Sequence, residues 1–227
     1  HDSHNHLVHK VQHSTLLEWR DYDHTLLPNV TGNKARKLAQ LADMPLPADG
    51  RIVSAGGVQS NAMLALAHLA RHKHAAFTYH TRPLPGWLRT APAGNFARAH
   101  TLGKENDEHE SVAAFERAKA EAALVDAGVP QGGAYPGAER GVAELAHAIG
   151  SWRAEADGSG PPRPLSVVVP AGTGTTALFL ARHAPPGVRV YAVPCVTKRE
   201  GLRRQMESLD GESGGAGVLP TILAPPP

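Results

Sequence analysis

Three short stretches of this chain pair chemically active residue types with glycines that let backbone approach a ligand. The first is Thr31-Gly32-Asn33-Lys34-Ala35-Arg36-Lys37-Leu38. A lysine at the start of a helix lies near the positive end of the macrodipole, and Arg36 and Lys37 add positive charge, so the neutral amine is favoured. A neutral lysine amine is a nucleophile that can form an imine. The same octapeptide also reads as a basic helix face lying in water. The second stretch, Ser54-Ala-Gly-Gly-Val-Gln-Ser-Asn61, runs from a strand through a glycine turn into a helix. It offers backbone N–H groups and the side chains of Gln59, Ser60 and Asn61 to an anionic ligand. A helix cap at Ser60 or Asn61 is the plainer reading, but a cap needs one such residue and here there are three.

The third stretch is Pro170-Ala-Gly-Thr-Gly-Thr-Thr-Ala177. Gly172 and Gly174 permit close approach, Thr173, Thr175 and Thr176 add hydroxyls, and a helix start behind them suits a phosphate. No Gly-Lys-Ser/Thr follows, which excludes a P-loop. Gly172 to Ala177 does fit G-x-G-x-x-A, which leaves a dinucleotide-binding oxidoreductase as an alternative. That pattern calls for an acid at the end of the next strand, and the first one here, Glu200, lies beyond it. An imine-forming lysine, a polar loop and a separate phosphate cup together meet the needs of pyridoxal 5'-phosphate (PLP).

The elements that must position these stretches alternate in type. Asn33 to Leu41 has helical composition, Arg51 to Ala55 reads as a strand, Ser60 to His72 as a helix and Ala75 to His80 as a strand. Helices are expected over Ser111 to Ala127 and Gly137 to Trp152, followed by a polar linker from Asp157 to Pro164. Ser166 to Pro170 and Val188 to Val193 read as buried strands on either side of a helix from Thr175 to His183. Short apolar strands alternating with helices predict an α/β fold with parallel sheets. After Leu202 the periodicity fades into Gly-rich and Pro-rich text.

Composition narrows the function classes. Lys+Arg 23 against Asp+Glu 21 gives a net charge of +2, too little to imply a nucleic-acid partner. Among the 227 residues, 41% are hydrophobic and only 5% aromatic, so the core is expected to be built from Ala, Leu and Val. No apolar run approaches about 18 residues, so no membrane-spanning helix is expected. The single cysteine, Cys195, excludes an internal disulfide and a multi-cysteine metal site, and is read as a buried core thiol. A reducing compartment follows, the cytoplasm by default with an organelle left open. His1, His4, His6, His9 and His13 crowd residues 1–13 without cysteine or acid at ligand spacing, so a flexible end and no metal are expected there. His68 and His72 lack the glutamate that a zinc-protease helix needs and read as a solvated face.

In this order the motifs resemble the 1-aminocyclopropane-1-carboxylate (ACC) deaminase and D-cysteine desulfhydrase family. That family belongs to the tryptophan-synthase-β-like, fold type II PLP enzymes. Gly32 to Leu38 is similar to the family's GNK-x-RKL, which implies that Lys34 carries PLP. Gly56 to Asn61 is similar to its GG-[IV]-QSN loop. That likeness puts Asn61 at the cofactor's ring oxygen and Ser60 at the substrate carboxylate or in proton transfer, with Gln59 beside them. Gly172, Thr173, Gly174, Thr175 and Thr176 match the phosphate cup. Val129 to Gly133 resembles a segment near the substrate, and Tyr135 beyond it is expected to line the cleft, although an ordinary turn explains Tyr135-Pro136 as well. Arg82 to Glu105 resembles the family's loop before the small-domain helix. Ala62, Met63 and Leu64 depart from the family, which has His or Gln and then, two residues on, Arg.

The resemblance implies two interleaved lobes: residues 14–50 with 157–227 as a large PLP-binding lobe, left incomplete at the C-terminus, and 51–152 as a small lobe. The implied reaction is a deaminating β-elimination on a small amino acid, D-cysteine to pyruvate, ammonia and sulfide. ACC deamination and a PLP-binding fragment without catalysis are the alternatives. The expected partner is the amino-acid substrate, with neither nucleic acid nor membrane, and a homodimer is compatible.

Overall fold

A computed structural model of the chain describes residues 6–11, 14–19, 25–46, 49–125 and 127–224. It opens with an antiparallel hairpin, β1 (His6–Val11) and β2 (Ser14–Trp19), in which His6 lies opposite Trp19. The histidine-rich end therefore contains a strand, while residues 1–5 and 12–13 lie outside the described residues. A second antiparallel pair, β3 (Thr25–Leu27) and β4 (Val30–Thr31), leads directly into α1 (Gly32–Asp43).

The first parallel sheet follows. Its elements are β5 (Arg51–Ala55), α2 (Asn61–His72), β6 (Ala76–Thr81), α3 (Gly86–Thr90), α4 (Gly94–Thr101), β7 (Lys104–Glu108), α5 (Val112–Ala122) and β8 (Gly128–Val129). The strands lie in the order β7-β6-β5-β8, every pairing parallel, as strands joined through helices must be. Two single 3-10 turns, Gln131–Gly133 and Pro136–Ala138, lead to α6 (Glu139–Asp157). Then come β9 (Leu165–Ala171), α7 (Thr175–Arg182), β10 (Val188–Pro194), α8 (Arg199–Glu212) and β11 (Thr221–Ile222), with a second parallel sheet in the order β11-β10-β9. The α/β fold with parallel sheets flanked by helices, expected from the alternation of elements, is the fold observed. No helix among the described residues is long and apolar enough to cross a membrane.

Each sheet carries its own core. Ile52, Met63, Leu66, Leu69, Phe77 and Tyr79 pack around the first, and Leu178, Phe179, Val190, Ala192, Leu202 and Met206 around the second. Two helices lie across the lobe division expected from the sequence. Ala35, Leu38 and Leu41 of α1 join the first core, whereas Val142, Leu145, Ala146 and Ile149 of α6 build the second. The two helices meet at Gly141, where an added Cβ would stand 2.1 Å from the Arg36 carbonyl oxygen. Only a residue without a side chain allows that crossing.

Several elements differ from the sequence-based reading. α5 stops at Ala122, and Gly128 N–H turns back to the Val125 carbonyl at 2.8 Å. α6 runs past Trp152 to Asp157, whose carboxylate holds Arg153 one turn back and Arg163 beyond the helix. Helices α3 and α4 occupy a stretch expected as loop, and α8 fills text that looked aperiodic. β7, with the sequence KENDE, carries no apolar residue and sits at the sheet edge, where charged side chains suit a strand with one free side. Cys195 is exposed, not a core thiol, because β10 has already ended at Pro194.

Candidate active site

The first turn of α1, the loop before α2 and the loop before α7 close around one cavity of about 420 Å³. Lys34, Lys37, Gly57, Ser60, Asn61 and Gly172 to Thr176 all line it. The Lys34 amine is half-buried, and burial lowers its pKa from 10.5. Lys37, one turn further along α1, is 5% exposed. Burial first, and then the charge of Lys34, hold its pKa well below the usual value. Its Nζ donates to the Gly132 carbonyl at 3.2 Å.

The loop before α2 divides its three polar residues among different tasks. Ser60 caps the helix, its Oγ accepting from Ala62 N–H at 3.2 Å and Met63 N–H at 3.3 Å. Its own hydroxyl proton faces the Tyr79 oxygen beneath the loop. Asn61 Oδ1 accepts from Asn95 Nδ2 at 2.8 Å, which leaves the Asn61 amide group free to donate at the cavity wall. Gln59 turns the other way. Its Oε1 accepts from Asn95 N–H at 2.8 Å and its Nε2 donates to the Ala93 carbonyl at 3.1 Å, so it braces the start of α4. Tyr79 lies beneath this loop with its hydroxyl pushed up to about 12 by burial, a hydrogen bond with Ser60 opposing the shift.

The loop before α7 is a cradle without a side chain at its centre. Gly174, the residue before the helix, has φ +79, and an added Cβ there would meet Met206 Cγ at 2.4 Å and Sδ at 2.7 Å. No side chain caps α7, so its leading N–H groups lack intrahelical acceptors beside the Thr175 and Thr176 hydroxyls. Thr173 and Thr175 share a hydrogen bond of 2.9 Å between their hydroxyls. Uncapped N–H groups at the positive end of a helix, with hydroxyls alongside, form a receptor for a phosphate group.

Of the residues singled out from the sequence, the structure brings Lys34, Ser60, Asn61, Gly172, Thr173, Gly174, Thr175 and Thr176 to the cavity. Gln59 and Tyr135 do not line it. The Tyr135 hydroxyl donates to the Lys37 carbonyl at 2.8 Å and so supports α1 from behind. From the sequence, Lys37 is expected only as a charge that favours the neutral amine of Lys34, not as a buried group of the cavity, and Asn95, which orients both Gln59 and Asn61, is not expected at the site. The signal for Lys37 was its spacing, one turn from Lys34 on the same helix face. Glu200, the first acid in sequence after the dinucleotide-like loop, sits in the first turn of α8 and not at the end of β10.

No protein-family model matches the sequence. No curated protein matches it either. Solved structures do. Over 92% of this chain and 66% of its own length, a structure described as an ACC deaminase homologue is similar, with a TM-score of 0.68 at 22% identity. A hydrogen sulfide-producing enzyme from Fusobacterium nucleatum matches 87% of this chain and 69% of its own, with a TM-score of 0.59 at 11% identity. The processed form of threonine deaminase isoform 2 from Solanum lycopersicum matches 92% and 63%, with a TM-score of 0.58 at 12% identity. The chain has their fold. It spans less than two thirds of the length of the first and third of these structures.

Proposed function

We propose that this chain binds PLP and carries the site of a deaminating elimination on a small amino acid. One observation carries the reading: a lysine with a depressed pKa and an uncapped, glycine-centred cradle line the same cavity, although they are far apart in sequence. The donor set fits the group. Lys34 supplies the amine for covalent attachment, the Gly172 to Thr176 loop supplies N–H and O–H donors for a phosphate, and Asn61 supplies an amide donor for the ring oxygen. When bound, PLP supplies an electron sink for the pair left behind when an amino acid loses its α-proton.

The remaining work falls to the chain itself. A substrate amine that displaces the Lys34 amine frees it as a base for the α-proton, and burial keeps that base unprotonated at lower pH than an exposed lysine. Ser60, fixed as a cap, presents its hydroxyl on the same wall for a carboxylate or for the returning proton. Within this class we favour D-cysteine as substrate, with water converting it to pyruvate, ammonia and hydrogen sulfide. The likeness to a hydrogen sulfide-producing enzyme supports that choice. The likeness to an ACC deaminase homologue favours a second reading, ACC plus water giving 2-oxobutyrate and ammonia.

The test is incubation with PLP, borohydride reduction and peptide mapping, followed by assays of sulfide from D-cysteine and 2-oxobutyrate from ACC. Label confined to Lys34, and lost in Lys34→Ala, supports the cofactor assignment. Label scattered over surface lysines overturns it. A Lys34 label without either product identifies a chain that binds the cofactor but does not turn over.

A further inference from the structure

We propose a second site, outside the cavity, that binds a divalent transition-metal ion of the zinc type through His80, Asp107 and His109. His80 lies near the end of β6, in register with Asp107 on the neighbouring β7. His109 follows β7 directly, and its backbone N–H donates to the Thr81 carbonyl at 3.0 Å, which returns the chain over the strand ends. The side chains converge as a result. His80 Nδ1 is 3.0 Å from His109 Nε2 and 3.1 Å from Asp107 Oδ2, while His109 Nε2 and Asp107 Oδ2 are 3.9 Å apart.

These spacings fix the size of the ion. A point about 2 Å from all three atoms exists within the triangle, matching zinc–nitrogen and zinc–oxygen bonds of about 2.0–2.2 Å. Two imidazoles and one carboxylate suit zinc, cobalt, nickel or copper and give calcium or magnesium too few oxygens. The histidine side chains are 16% and 18% exposed, whereas Asp107 is 52% exposed and leaves the solvent side open for entry and for a water ligand. The adjacent Glu108 is committed elsewhere, to Arg89 and to the Leu84 N–H. None of the three residues lines the cavity of the candidate active site. The ion pins the edge strand β7 to β6, at the same end of the sheet as the loop that carries Ser60 and Asn61.

The competing arrangement is a proton shared between the two imidazoles, which the 3.0 Å separation also satisfies. Titration separates the two. The chain also carries His1, His4, His6, His9 and His13, so the measurement uses the full chain with those five replaced by alanine. The metal-stripped protein is titrated with Zn²⁺ by calorimetry, and the absorption of the Co²⁺ form is recorded. One equivalent is expected, with a rise in thermal midpoint, and His80→Ala, His109→Ala and Asp107→Asn are each expected to weaken binding at least about tenfold. Absence of saturable binding, or variants that bind as tightly as their parent, overturns the proposal. If His80→Ala fails to fold, His109→Gln, placed beyond the end of β7, carries the same comparison.

Discussion

The buried amine of Lys37 on α1 donates to the carbonyl of Gly132, 95 residues away in sequence and 3.2 Å away in space. The bond joins the helix that carries Lys34 to the segment between the two sheets. It also holds a second amine, depressed in pKa, against the cavity that Lys34 lines.

Replacing that amine separates binding from stability. Lys37→Met keeps the length of the side chain and removes the donor. Removing a buried polar group offsets the loss of its bond to the Gly132 carbonyl, so folding stability is expected to hold. PLP affinity, read from cofactor absorbance or fluorescence, is expected to fall about tenfold through loss of the N–H donor that Lys37 places in the cavity wall. Unchanged affinity would remove Lys37 from the site.

Lys104 makes stability depend on pH. Its side chain is 2% exposed, its Nζ donates to Asn106 Oδ1 at 3.0 Å and lies 4.5 Å from the Phe96 ring centre, and burial lowers its pKa to about 8. Between about 8 and the ordinary 10.5 the unfolded chain holds a proton that the folded chain has released, so stability rises with pH in that window. Below about 8 both states hold the proton and the slope vanishes. Lys104→Met is expected to reduce the slope, measured by urea unfolding from pH 7.5 to 10. It should not abolish it, because Lys37 is shifted in the same direction. An identical slope in the variant would contradict the assignment.

Gly174→Ala tests the cradle. The left-handed backbone and the contacts with Met206 and Leu202 both penalise a side chain, and together they are expected to cost about 2–4 kcal/mol of stability. In parallel, phosphate protection of the thermal midpoint is expected to disappear. Gly172→Ala, where the nearest atom to an added Cβ is Val196 Cγ2 at 3.6 Å, is the control that should retain its fold.

Much of this site was legible because it lies where strands end and helices begin. Glycines flanked by hydroxyl and amide residues mark such junctions, so Lys34, Ser60, Asn61 and Gly172 to Thr176 could be named from the sequence. What stayed hidden depends on packing between distant segments. Gln59 looks like a ligand until Asn95 and Ala93 from α4 claim its amide. Tyr135 looks like a cleft residue until its hydroxyl reaches the Lys37 carbonyl. Lys37 looks solvated because nothing local shows that Gly132 will cover it. In α8, Leu202, Met206 and Leu209 keep the spacing of a buried helix face, but the glycine-rich text after Glu212 obscured it. β7 has no apolar residue to announce it, and its register with β6 is what brings Asp107 to His80.

The close crossing of α1 and α6 has a consequence for the order of synthesis. α1 leaves the ribosome before the groups that hold it: Gly132 for Lys37, Tyr135 for the Lys37 carbonyl and Gly141 for Arg36, at separations of 95, 98 and 105 residues. At about 5–20 residues per second, the nascent helix waits roughly 5–20 s for its partners. During that interval Lys37 lacks the cover of Gly132, and the burial that depresses its amine in the folded chain is incomplete. The second buried amine of the cavity is thus completed by residues made about a hundred positions after it.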